Sequence, residues 1–150
     1  MTDKGEFILL YDGDCSFCNR WVQWVVDRDK GRAFRFAAIE SDFSKELHRY
    51  LNIDINTDSI SLIKTGDLIR GQKNVRILSK SKAVSYLFMN LDQSAFLYKV
   101  LKVTPRIISD FAYDCIAALR RYLPVRDCRL YNSEERDLFL NEVDFVQFIS

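Results

Sequence analysis

Phe7-Ile8-Leu9-Leu10-Tyr11-Asp12-Gly13-Asp14-Cys15-Ser16-Phe17-Cys18-Asn19 carries a strand, a turn and the start of a helix in immediate succession. The apolar run Phe7 to Tyr11 has the length and composition of a buried strand. Asp12-Gly13-Asp14 ends it, and Asp14 is placed to cap the helix that follows. From Cys15 to Lys30 the apolar residues Phe17, Cys18, Trp21, Val22, Trp24, Val25 and Val26 fall at helical spacing, and Gly31 reads as the stop. Two cysteines therefore stand where a strand hands over to a helix.

Working outward, Phe34 to Ala38 reads as a second strand, and Ser41 opens a second helix carrying Phe43, Leu47 and Tyr50. Ser59 to Lys64 is a third strand. Thr65-Gly66-Asp67 reads as a turn into Leu68-Ile69-Arg70, or into a later partner at Val75 to Leu78. A third helix opens near Ser79 or Ser81 and carries Ala83, Val84, Leu87, Phe88 and Leu91. The predicted core, residues 1–91, is thus β-α-β-α-β-β-α. A β-α-β crossover followed by a hairpin and a helix is the order of a thioredoxin-like domain, although other α/β folds begin the same way.

Residues 92–150 read as a helical extension packed on that core within one domain. Its helices are Ala95 to Val103, one beginning at Pro105 and reaching about Tyr122, and one from Ser133 to about Phe148.

The chain has 150 residues, 22 Lys plus Arg against 21 Asp plus Glu, and a net charge of +1. No basic stripe is present, which argues against a nucleic-acid partner. The longest run without a charged side chain, Ala83 to Leu91, is far short of the ~20 residues that span a bilayer, so no membrane span is expected. Met1 to Glu6 shows neither a basic segment nor a small-residue cleavage site, and the protein reads as cytoplasmic. A chain of this length buries about 70% of its unfolded surface, so it needs no disulfide framework or structural metal to fold. In a reducing compartment a close cysteine pair is catalytic or metal-binding rather than a structural staple.

Residues three apart on a helix lie about 5–6 Å from one another, within reach of a disulfide. The unsatisfied N–H groups and positive end of the helix favour negative charge on the leading sulfur, whereas Asp12 and Asp14 oppose it. Cys15 is therefore the expected nucleophile and Cys18 the resolving thiol. Asp12, if buried at the end of its strand, could pass a proton to or from Cys18. Ser16 and Phe17, between the cysteines, are expected to contribute to the substrate surface.

The segment Asp12 to Asn19 resembles the DCC family of thiol-disulfide oxidoreductases, named for an Asp-Cys-Cys signature. Tyr11, Arg20, Phe34-Arg35-Phe36-Ala37, Ser81-Lys82-Ala83-Val84, Val103-Thr104-Pro105-Arg106, Tyr113-Asp114 and Arg126-Asp127-Cys128 extend the likeness over nearly the whole chain. The resemblance implies a thioredoxin-like fold and redox exchange at Cys15 and Cys18. It also makes Cys128, beside two arginines in an expected loop, a candidate auxiliary thiol. Two departures stand out. Asp58-Ser59-Ile60 lacks the proline that faces the cysteines in thioredoxins proper, and Gly71-Gln72-Lys73-Asn74 lengthens the hairpin region relative to the family.

Competing readings use the same residues. Structural zinc could be held by Cys15, Cys18 and Cys128 with Cys115 or His48, but a second close cysteine pair is missing. Cys115, among Ile108, Phe111, Ala112, Ile116 and Leu119, reads as a buried inert thiol, and His48 as a surface or partly packed residue. Trp21, Trp24, Phe43, Tyr50 and the C-terminal helices could instead expose a patch for a protein partner. The favoured expectation is a protein-disulfide reductase that needs no cofactor or metal. Its partners would be a disulfide-bearing protein or small molecule and an electron donor.

Overall fold

In the computed structural model, residues 6–52, 60–70, 75–91, 99, 103–119 and 132–150 are described. Strand β1 (Phe7–Tyr11) is buried along its whole length, which requires apolar side chains on both faces and accounts for its unbroken hydrophobic run. It pairs in parallel with β2 (Phe34–Ala38) and antiparallel with β3 (Ser61–Lys64), which pairs antiparallel with β4 (Ile77–Ser79). The sheet order is β2-β1-β3-β4. Helix α1 (Ser16–Arg28) joins the two parallel strands, and α2 (Asp42–Leu51) leads from β2 towards β3.

Two apolar layers sandwich the sheet. Phe7, Leu9, Tyr11, Phe34, Phe36, Ala38 and Leu62 pack against Cys18, Val22 and Val25 of α1 and against Ala83 and Leu87 of α4 (Lys80–Asn90). Ile8, Leu10, Ala37 and Ile63 face the other way, onto Phe43 and Leu47 of α2 and onto Leu140, Phe145 and Phe148 from the end of the chain. Each fully buried aliphatic or aromatic side chain contributes about 1.5–3 kcal/mol. This mixed α/β arrangement, with the expected element order but for one short helix between β3 and β4, is of the thioredoxin-like kind.

Several local expectations are corrected. Helix α1 is capped at its N-terminus by Cys15, not Asp14. At its other end the C-cap is Asp29 rather than Gly31. The Asp29 carboxylate accepts the N–H groups of Ala33 (3.0 Å) and Phe34 (2.8 Å) and launches β2. Thr65-Gly66-Asp67 begins a short helix, α3 (Thr65–Ile69), so Leu68 and Ile69 are not a strand and the later segment supplies the hairpin partner. The lengthened stretch Gly71 to Asn74 lies outside the described residues.

The extension is not wholly helical. Most of the helix expected from Ala95 to Val103 lies outside the described residues. Helix α5 (Arg106–Leu119) lies against α4, with an ion pair between Lys80 and Asp114 at 3.1 Å. The helix expected from Ser133 to Phe148 is instead two short ones, α6 (Ser133–Arg136) and α7 (Phe145–Ile149). Asn132 and Glu135 form a capping box that starts α6. The chain then leaves the helix to run beside β2. The Phe36 N–H donates to the Leu138 carbonyl (2.9 Å), and the Leu140 N–H to the Phe36 carbonyl (2.8 Å). Asp144 caps α7 by accepting the N–H groups of Val146 and Gln147. The open edge of β2 is thereby covered.

Candidate active site

Cys15 is the hinge between turn and helix. Its extended backbone makes it the N-cap of α1, and its Sγ accepts the Cys18 N–H at 3.4 Å. The sulfur thus fills the role that a serine or aspartate oxygen usually plays at a helix start. This N–H and the N-terminal end of α1 both lie at the sulfur. Cys15 is half-buried, whereas Cys18, one turn along, is 2% exposed and packed in the layer between α1 and the sheet. Of the pair, only Cys15 is partly exposed.

The turn before Cys15 is tied down from several sides. The Cys15 N–H donates to the Asp12 carbonyl (3.3 Å), and the Asp14 N–H donates to Asp12 Oδ1 (3.1 Å). Asp12 therefore shapes the turn through both its main chain and its carboxylate, and it is half-buried rather than sealed at the strand end. Asn19, on the first turns of α1, reaches back to donate from Nδ2 to the Gly13 carbonyl at 2.7 Å. The Glu40 carboxylate lies against Gly13 where a Cβ would project, and Ala38 Cβ would stand 3.1 Å from that atom. Glycine leaves room there for this close approach.

Tyr11 closes the strand behind this turn. Burial pushes its hydroxyl pKa above the ordinary 10.0, opposed by a hydrogen bond from Asn141 and reinforced by the nearby Glu40 charge. Asn19, Glu40 and Asn141 had no assigned role in the sequence. Asn19 lies four residues after Cys15, a spacing that points a side chain back over the helix start, but the other two arrive from distant segments.

Ser16 and Phe17 are half-buried beside Cys15. Cys128 lies outside the described residues. Cys115 is exposed, contrary to the expectation of burial, because the apolar stripe of α5 faces outward: Ile107 is 84% and Phe111 70% exposed. His48 is partly packed on α2. Phe43 is buried, and Trp21 and Trp24 stack at 5.1 Å with Phe88 set edge-on to both, so packing accounts for these aromatics. Among the described residues, no three of His, Cys, Asp or Glu gather as a metal site, and no helix is long and apolar enough to cross a membrane.

Residues 9–126 match the model of a family described as DCC1-like thiol-disulfide oxidoreductase. Over 114 residues the chain is 33% identical to a chloroplastic DCC family protein of Arabidopsis thaliana, covering 73% of this chain and 60% of that one. It is 26% identical to the uncharacterized protein YuxK of Bacillus subtilis, covering 75% and 77% of the two chains. The chain thus spans less than two thirds of the plant relative. No solved structure matches it.

Proposed function

The chain belongs to the DCC1-like thiol-disulfide oxidoreductase family, and on that premise we propose that Cys15 and Cys18 exchange electrons with substrate disulfides. The observation that carries this reading is their asymmetry: a partly exposed cysteine at the helix N-cap and a buried one a turn behind it. The Cys15 thiolate attacks one sulfur of the substrate disulfide, forming a mixed disulfide and releasing the other sulfur as a thiolate. The Cys18 thiolate then attacks Cys15 Sγ, closing Cys15–Cys18 and releasing the second substrate sulfur. Two electrons pass to the substrate, and the two protons lost by the cysteines balance those gained by the released thiols. A dithiol reductant returns the pair to its starting state.

Asp12, the half-buried carboxylate at the end of β1, would take up the Cys18 proton, and its partial exposure gives that proton a path to water. Ser16 and Phe17 would border the bound disulfide, with Cys128 as an auxiliary thiol. A reducing compartment, as in the cytoplasm, favours the reductant direction.

The test uses a Cys18→Ser variant incubated in reduced form with a model protein disulfide. A mixed disulfide through Cys15 is expected. Absence of that adduct, with about one zinc per wild-type chain, would favour the structural-zinc reading instead.

A further inference from the structure

If Cys15 and Cys18 are an exchange pair, the turn between β1 and α1 must hold the leading sulfur in register with the buried one. Asp12 and Asn19 are local tethers. A third comes from the far end of the chain. Residues 138–140 run beside β2, and Asn141 follows them at the end of that strand. Its Oδ1 accepts the Ala38 N–H at 2.7 Å, and its side chain also hydrogen-bonds the Tyr11 hydroxyl.

Tyr11 and Ala38 are directly paired, the last rung of the β1–β2 ladder. Beyond that rung both strands diverge, β1 into the turn that carries Cys15 and β2 towards α2. The Ile39 N–H donates to the Tyr11 carbonyl at 2.9 Å. Tyr11 is 5% exposed and lies in the same apolar layer as Cys18. Glu40, immediately after this rung, lies against Gly13 in the turn itself. A single side chain thus joins the two strand ends at the point where the cysteine loop departs.

We propose that Asn141 is a positioning residue for the cysteine pair, stapling the last β1–β2 rung so that Cys15 is held in closing range of Cys18. This rests on the exchange reading of those cysteines. It also extends the site beyond residue 126, where the family match ends. Closing a disulfide demands a narrow range of sulfur and Cβ positions, so freeing the turn favours the open dithiol. Loss of either bond of the staple should shift the closing equilibrium by about fivefold, the weight of one net hydrogen bond.

The test equilibrates wild type, Asn141→Ala, Tyr11→Phe and the double variant with glutathione redox buffers. The closed fraction of Cys15–Cys18 is read by alkylation and mass spectrometry. In parallel, the rate of iodoacetamide labelling at Cys15 is taken relative to exposed Cys115, and circular dichroism checks the fold. Tyr11→Phe, which removes one hydrogen bond, should move closure about fivefold towards the dithiol, Asn141→Ala, which also frees the Ala38 N–H, at least as far, and the double variant no further than Asn141→Ala, where the bond to Tyr11 is already gone. The labelling ratio should change in the same variants.

A folded Asn141→Ala protein with closure and labelling ratio both within about twofold of wild type would overturn the proposal, as would a double variant showing the product of two independent shifts. Should Asn141→Ala fail to fold, Tyr11→Phe, which keeps the buried ring, decides by the same criterion. A wild-type pair that never closes removes the exchange reading. In that case the labelling ratio alone decides the staple, supporting it if Asn141→Ala changes the ratio and overturning it if not.

Discussion

The backbone N–H of Cys18 points at the sulfur of Cys15 across 3.4 Å. The atom assigned to attack is thus also the acceptor that starts α1, and local structure and chemistry meet at one position. A residue chosen for helix stability alone would be Ser, Asp or Asn.

Replacing Cys15 by Ser separates the two roles. The hydroxyl is a better N-cap than the thiol, so Cys15→Ser should unfold in reducing urea at equal or higher denaturant, gaining up to about 1 kcal/mol. Disulfide exchange should be lost. A destabilisation beyond about 1 kcal/mol would contradict the capping role.

Gly13→Ala places a methyl group against the Glu40 carboxylate and within 3.1 Å of Ala38 Cβ. Glu40 is exposed and can swing away, but Ala38 is fixed in β2. The expected cost is about 1–3 kcal/mol, with part of it recovered in a Gly13→Ala/Glu40→Ala protein. Chemical denaturation of wild type and the two variants measures this, and a Gly13→Ala protein as stable as wild type would contradict the packing.

Tyr11 adds an alkaline dependence. Burial is the main cause that raises its pKa above the ordinary 10.0. A raised folded-state pKa gives stability that is complete below the unfolded value and lost as pH rises from there through the folded one. Stability should therefore fall above about pH 10. Tyr11→Phe should flatten that limb, and an identical alkaline slope in both proteins would show that Tyr11 does not ionise on unfolding.

Deleting residues 132–150 removes Leu138 from one apolar layer and Leu140, Phe145 and Phe148 from the other, and uncovers the β2 edge. At about 1.5–3 kcal/mol for each buried side chain, the loss rivals the whole stability of a domain this size. The shortened chain should be largely unfolded or aggregated by circular dichroism and sedimentation. A monomeric, cooperatively melting product would contradict the integral role of this segment.

What could be read from the chain beforehand depended on how local each determinant is. Phe7 to Tyr11, the two cysteines and the Ser41 cap are set by their own neighbours, and their positions followed directly. Asp14 was a plausible cap by residue type, but Asp12 engages the Asp14 N–H and the cap falls to Cys15. Ser133 to Phe148 has enough apolar residues for one helix, yet Leu138 and Leu140 pair with Phe36 about a hundred positions earlier, a partnership no local pattern reveals. Helical periodicity in α5 locates an apolar stripe but not its surroundings, so the pattern alone points Cys115 inward whereas it is exposed. Asn141 and Glu40 joined the cysteine turn for the same non-local reason.

The most direct measurement follows both partners of one exchange. Reduced wild-type protein is mixed with a single-disulfide protein substrate, quenched with an alkylating agent and analysed by peptide mass spectrometry. One Cys15–Cys18 disulfide should form for each substrate disulfide opened, while Cys115 stays alkylatable. Substrate reduction with Cys15 and Cys18 both remaining thiols, or no reduction at any ratio, would show that the pair does not carry the electrons.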